Sequence, residues 1–153
     1  MSVSIFKWFI LVLGLFSSLC GHAQNKEIQE QYKLLQNNKI DDSSKAEVSI
    51  YLSYLYQAKN IDSALYFGNK AIQLSQKLNH SRLLADALTQ QASNLVWKEQ
   101  IADALKMYYQ IEDIGRHLSS SEILYGVYND LAYLYHTTEN WDKAWEYCEK
   151  ALS

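Results

Sequence analysis

The feature that most constrains the fold of this chain is an internal repeat, with a period of about 40 residues. Three segments share a pattern of an amide, a large apolar residue, two mostly polar residues, an alanine and another large apolar residue: Asn60–Leu65, Gln100–Leu105 and Asn140–Trp145. A fixed period of this length is typical of stacked supersecondary units. Such stacks form extended binding surfaces more readily than catalytic pockets, so the repeat favours a binding function.

The composition favours helices over strands. The chain has 153 residues, of which 48% are apolar and 20% charged, enough for one domain with a packed core. It has no proline and only five glycines, which argues against the many tight turns of an all-β sandwich. The sequence has no cluster of Lys or Arg, so neither nucleic acid nor an anionic membrane surface is an expected partner.

Apolar residues recur with helical spacing from residue 45 onward. The spacing i, i+3, i+4, i+7 gives one apolar stripe per helix, in Val48–Leu55, Ile61–Ile72, Leu84–Leu95, Ile101–Ile111, Val127–Tyr135 and Trp141–Ala151. Because the breaks between stripes are short, neighbouring helices should pack antiparallel. Alanines at 64, 104 and 144 would allow the two helices of each unit to approach closely. The sequence therefore predicts an all-α repeat domain over 45–153, preceded by a helix and linker over 24–44.

The segment 1–23 has the pattern of a secretory signal peptide. Lys7 is its one charge, Trp8–Phe16 is an unbroken apolar run, and the segment ends in the small-x-small triplet Gly21-His22-Ala23. The apolar run is too short to span a bilayer, which takes about 20 residues. We expect cleavage after Ala23 and an exported protein of the periplasm or cell envelope. A lipoprotein acylated at Cys20 is the less favoured alternative.

The third unit resembles a tetratricopeptide repeat, on the residues Tyr128, Leu131, Ala132, Tyr135, Ala144 and Ala151. The resemblance covers residues 45–153 and implies a right-handed α-solenoid of three antiparallel helix pairs. Repeats of this length resemble those of bacterial sensor and regulator proteins. The chain departs from the family in its period, since about 34 residues is usual. It also lacks the closing proline and carries Leu52 and Gly68 at positions that are normally small and aromatic, respectively.

The resemblance implies that the first helix of each pair lines a concave face that binds a peptide. Carried over by position, the predicted peptide-binding residues are Tyr56, Asp86, Thr89, Ser93, Trp97, Asn129, Tyr133 and His136. This set is neutral, aromatic and rich in hydroxyl groups. Because it includes no Lys or Arg, we predict no clamp for a peptide's terminal carboxylate.

Residues with catalytic or metal-binding spacing are not evident. The chain has no His-x-x-x-His or Cys-x-x-Cys pair and no glycine-rich phosphate loop, so we predict no metal, no cofactor and no enzyme activity. His80 lies near a unit junction, where it is expected either to cap a helix or to interact with the helix dipole, and Ser81 is a candidate cap. Cys148 is expected to be a buried thiol. Trp141 and Trp145 are expected in the core or between units.

The favoured function is a non-catalytic scaffold that binds a protein or peptide in an aromatic concave groove. The alternative is the extracytoplasmic sensing region of a larger signalling protein, either a histidine kinase or a transcriptional regulator. The last unit should present an open apolar face formed by Trp141, Trp145, Ala151 and Leu152. Solenoids normally end in a polar cap, so this face predicts either self-association or a chain that continues.

Overall fold

The computed structural model describes residues 24–152, which form seven α-helices with no strand among them. In chain order the helices are α1 (24–36), α2 (Asp42–Tyr56), α3 (Ile61–Lys77), α4 (Ser81–Trp97), α5 (Ile101–His117), α6 (Ser121–Thr137) and α7 (Trp141–Leu152). From α2 onward each helix packs against the next, and α2 also contacts α4. The predicted all-α, solenoid-like stack is confirmed. The predicted signal peptide and the lipoprotein alternative at Cys20 lie outside the described residues.

The turns between helices recur every 20 residues, half the period of the sequence repeat. After α3, α4, α5 and α6, the residue that follows the helix C-cap has a positive φ of 49–61°, at Asn79, Glu99, Ser119 and Glu139. In each of these turns the next residue's N–H donates back to a carbonyl earlier in the helix, as in the bond from Gln100 to Leu95 at 2.8 Å. This is the Schellman arrangement that satisfies the last carbonyls of a helix. One long helix and one short turn of this type therefore make a half-unit.

The side chains just before α2, α3, α4, α6 and α7 each accept a hydrogen bond from the N–H three residues later, whereas Gln100 before α5 makes no such bond. The side chain of Asn60 accepts a hydrogen bond from the Ser63 N–H at 2.9 Å. His80 accepts one through Nδ1 from the Leu83 N–H at 3.1 Å, so of its two expected roles it has the capping one, and Ser81, the candidate cap, is instead the first residue of α4. Side-chain acceptors at this position satisfy N–H groups that have no partner within the helix.

The repeated alanines lie between the paired helices, as the sequence predicts. Ala64 and Ala104 are fully buried and Ala144 is 8% exposed. The main core runs through α4 to α7, and a second, smaller core joins α1 to α2 and α3 around Phe67. Because each alanine lies at the contact of two helices, a larger residue there would overpack the pair.

A buried amide network occupies the space beside Gly68. A Cβ added to Gly68 would lie 1.9 Å from Oε1 of Gln91, so the glycine makes room for that carboxamide. Asn94 is fully buried and donates to the Ser53 hydroxyl at 2.7 Å, and Ser53 donates to the Ala64 carbonyl at 2.8 Å. These hydrogen bonds join α2, α3 and α4 through polar groups that could not remain unpaired in the core.

Helix α7 exposes a face that is partly buried in the equivalent helices α3 and α5. Trp141 and Trp145 are 59% and 69% exposed, and Leu152 is 87% exposed. Leu105, the equivalent of Trp145, is partly buried against the main core. The predicted open apolar face is therefore confirmed, whereas a core role for the two tryptophans is wrong within the described chain.

Cys148 is exposed, contrary to its predicted burial. Its equivalent in the preceding unit, Tyr108, is buried against the main core, which includes residues of α6. No described helix covers α7 in that way. The prediction failed because burial at this position depends on the neighbouring unit and not on the helix itself.

Candidate functional site

A groove runs between α4 and α6, and we call it the α4–α6 groove. It has two halves, of about 370 and 310 Å³, which share Thr89 and Asp130 in their linings. The first, aromatic half is also lined by Tyr54, Gln57, Gln90, Ser93, Val96, Trp97, Tyr108, Tyr133 and Leu134. The second, charged half is also lined by Arg82, Ala85, Asp86, Ile111, Glu122, Ile123, Gly126, Val127 and Asn129.

Three exposed aromatic side chains surround the aromatic half. Tyr54 from α2, Trp97 from α4 and Tyr133 from α6 are 59%, 60% and 67% exposed. Each therefore presents a large ring surface to solvent from a different helix. Exposed aromatic side chains that converge on one concavity are typical anchors for a bound protein segment.

The polar side chains of the groove wall are held by the protein itself. Gln57 donates through Nε2 to the Ser93 hydroxyl at 2.8 Å and to Oδ1 of Asn94 at 3.1 Å. The Thr89 hydroxyl donates to the Ala85 carbonyl at 2.9 Å. These bonds fix the orientation of the wall and still leave hydroxyl oxygens with acceptor capacity toward the groove.

The charged half is organised around one guanidinium. Arg82 on α4 donates two hydrogen bonds to the Glu122 carboxylate on α6, at 3.0 and 2.7 Å. Its Nε also lies 3.6 Å from Asp86. The Arg82 guanidinium lowers the pKa of Glu122, and the two carboxylates raise the pKa of Arg82. The bidentate pair joins two helices that are otherwise separated by the groove.

Asp130 lies where the two halves meet. Burial of its carboxyl group raises the pKa of Asp130 from 3.8 to about 6. Burial also raises the pKa of Tyr108 on the groove floor, and the charge of Asp130 adds to that shift. The sequence analysis predicted a neutral groove, and that prediction is wrong, since three carboxylates, Asp86, Glu122 and Asp130, line the groove with one guanidinium.

Six of the eight predicted binding residues line the α4–α6 groove: Asp86, Thr89, Ser93, Trp97, Asn129 and Tyr133. Tyr56 does not. Its ring stacks on Phe67 with the centroids 5.8 Å apart, in the core beneath α1. Tyr54 occupies the groove wall instead, because a two-residue step corresponds to about 200° of rotation around a helix.

His136 also lies outside the groove. Its ring packs edge-on against Trp141, with the centroids 4.9 Å apart. It lines a separate apolar depression of about 490 Å³ between α6 and α7, together with Tyr133, Trp145 and Cys148. The structure therefore divides the predicted concave face into a groove and an end depression, which Tyr133 and Asn129 both border.

Sequence reasoning missed Tyr54 and Asp130. Asp130 follows Gly126 by four positions and precedes Tyr133 by three, so it shares their helix face, and the spacing could have identified it. Tyr54 gives no such signal, because its equivalents, Asn94 and Leu134, are both buried. Tyr54 lines the groove because it lies near the end of α2, and α2 contacts α4.

Within residues 24–152, no three side chains of the metal-binding types come together in a cluster, and no helix is long and apolar enough to cross a membrane. The groove has the chemistry of a recognition surface, with aromatic anchors, oriented hydroxyl groups and carboxylates. No family model and no curated protein matches the chain.

Proposed function

We propose that this chain is a non-catalytic scaffold that binds a protein or peptide segment in the α4–α6 groove. The observation that carries the proposal is the convergence of three exposed aromatic rings, from α2, α4 and α6, on one concavity. The resemblance of the third unit to a tetratricopeptide repeat supports the same function. Aromatic anchors beside fixed hydrogen-bonding groups suit an extended or helical segment.

The test is a selection of binding peptides from a randomised display library. Selected peptides should bind the wild-type chain and lose most of their affinity for the Trp97→Ala/Tyr133→Ala variant. Tyr125→Ala is the matched control, because Tyr125 is a similarly exposed tyrosine on α6 that lines a different depression. Peptides that bind the double variant as well as the wild type, or a library that yields no binder, would refute the proposal.

We further propose that the face formed by α6 and α7 pairs with a second copy of the chain. Trp145 and Leu152 lie four and eleven positions after Trp141, so the exposed apolar residues follow one helical stripe. Neighbouring helices in the stack pack antiparallel, and a two-fold axis across α7 would place the second α7 antiparallel too. This arrangement would continue the stacking of the inner units.

Sedimentation velocity tests the pairing. The wild type should sediment as a dimer at high concentration and as a monomer after dilution, and Trp145→Lys should sediment as a monomer throughout. Tyr66→Lys is the control, because Tyr66 is a comparably exposed aromatic residue on α3. A wild-type chain that stays monomeric at all concentrations would exclude the pairing.

We also propose that the protein is exported to the periplasm or cell envelope. Its support is the charge, apolar run and small-x-small ending of segment 1–23. Mass spectrometry of protein recovered from the envelope fraction should find Gln24 as the first residue. Recovery from the cytoplasm with segment 1–23 still attached would contradict it.

A further inference from the structure

The Asp130 carboxylate lies in the α4–α6 groove without a partner of its own. It forms no hydrogen bond or ion pair with any other residue in the described range, although its side chain is only partly accessible to solvent. The charge of Asp130 contributes to the raised pKa of Tyr108, which lines the same cavity. A carboxylate in this position is partly desolvated with nothing to compensate for the lost hydration.

The preceding unit shows that the fold does not require a carboxylate here. The equivalent residue is Gln90, one repeat earlier, and it also lines the groove. Its Nε2 donates to Oδ1 of Asn94 at 3.2 Å, so its polar group takes part in the internal network. Asp130 makes no comparable contact. The charge at this position therefore faces the groove and serves no contact within the described residues.

The single cation of the groove lining is paired with other carboxylates and not with Asp130. The two terminal nitrogens of Arg82 each donate a hydrogen bond to Glu122, and its Nε lies 3.6 Å from Asp86. The remaining lining residues carry no positive charge. The groove therefore has an excess of negative charge, which favours a cationic group of a ligand.

The surroundings of Asp130 also suit the stem of a long basic side chain. Tyr133 is three positions further along the same helix, and Trp97 and Tyr54 line the same cavity. Lys and Arg side chains combine an apolar stem with a charged head, and aromatic faces attract that head. A Cβ added at Gly126 would meet no protein atom within 4 Å, so the floor of the charged half is open to the main chain of a ligand.

We propose that the α4–α6 groove selects peptides by a basic side chain, seating the head of a lysine or arginine at the Asp130 carboxylate between the aromatic rings. This inference rests on the proposed function, because it names the ligand class of the same groove. It extends that function from peptide binding in general to peptides with a centrally placed positive charge.

Four acetylated and amidated nonapeptide pools test the inference. Their flanks are randomised over uncharged residues, and they differ only in the central residue, which is lysine, norleucine, arginine or citrulline. Norleucine and citrulline keep most of the length of the two basic side chains without their charge. Fluorescence anisotropy of labelled pools measures the apparent Kd for the wild type, for Asp130→Asn and for Asp113→Asn. Asp113 is the matched control, an exposed aspartate of α5 that lies outside the groove.

The lysine and arginine pools should bind the wild type about tenfold more tightly than their uncharged counterparts, the scale of one charge-assisted hydrogen bond. Asp130→Asn should remove that difference, and Asp113→Asn should retain it. If all four pools bind the wild type equally, the basic specificity is wrong while peptide binding stands. If no pool binds, the proposed function fails and this inference fails with it.

Discussion

Replacement of Asp130 by asparagine should stabilise the fold at neutral pH. Asparagine has nearly the same shape and carries no charge. Burial raises the pKa of Asp130 from 3.8 to about 6 in the folded protein, so the folded state holds the proton more tightly than the unfolded chain. Ionisation therefore opposes folding, and the cost grows as the pH rises between those two values.

The size of the effect follows from that shift. Two pKa units correspond to about 3 kcal/mol, which is a ceiling, and solvent screening of a partly accessible group reduces it to about 1–2 kcal/mol. The cost is about a fifth of its full size at pH 4 and is fully present above about pH 7. The titratable groups that line the groove with Asp130 are Tyr54, Tyr108 and Tyr133 in the aromatic half and Arg82, Asp86 and Glu122 in the charged half. All six are present in both proteins, so their own titration largely cancels in the difference.

Urea unfolding followed by far-ultraviolet circular dichroism at pH 4 to 8 measures this difference. Asp130→Asn should match the wild type within error at pH 4 and exceed it by about 1–2 kcal/mol at pH 7.5. Asp113→Asn should show no such growth with pH. A difference that stays constant across the range, or a variant that is less stable at pH 7.5, would refute the desolvation argument.

Three further substitutions test the packing and the turns. Gly68→Ala should lower the free energy of unfolding by about 1–3 kcal/mol, because its methyl group displaces the buried carboxamide of Gln91; an unchanged denaturation midpoint would contradict that account. Gly126→Ala, the same change on an open helix face, should instead raise it by about 0.5–1 kcal/mol, and a loss of stability would show that the position is not free. Ser119→Gly should raise the free energy of unfolding by about 0.5–1 kcal/mol, because Ser119 has a positive φ that glycine adopts without strain. This gain should exceed the cost of the greater backbone entropy that glycine gives the unfolded chain. Thermal melts that show no gain would exclude strain at this turn.

The helices were predictable because each carries its own apolar stripe. Amide and hydroxyl residues before the helices mark where they begin, and the buried alanines confirm the register that the repeat predicts. The 20-residue spacing of the turns was harder to predict from the sequence. The turn residues with positive φ are Asn, Glu, Ser and Glu, and glycine, the residue type that usually signals such a turn, is absent from all four positions.

Burial and pairing at the groove were not predictable, because they depend on helices distant in the sequence. Asp130 and Arg82 lie on helices separated by α5, and nothing local shows that Glu122 occupies that guanidinium. Cys148 and Trp145 occupy positions that are covered in other units, so equivalence predicts burial that only a neighbouring helix can provide. Periodicity identifies the face of a helix, and tertiary packing decides what lies against that face.

The instability at Asp130 and the proposed selectivity of the groove have one physical origin. The folded chain desolvates an aspartate and supplies no cation for it, which raises the pKa and lowers stability near pH 7. In the proposed complex a lysine or arginine head supplies that charge, stabilises the ionised carboxylate and returns its pKa toward the ordinary range. Ligand binding and protonation of Asp130 are linked, and this linkage is reciprocal. The free energy by which the ligand opposes protonation must therefore equal the free energy by which a proton on Asp130 weakens the binding of the basic side chain. The cost in stability at Asp130 would therefore be offset by ligand binding. At the equivalent position of the preceding unit, the uncharged Gln90 instead donates a hydrogen bond to Asn94 within the protein.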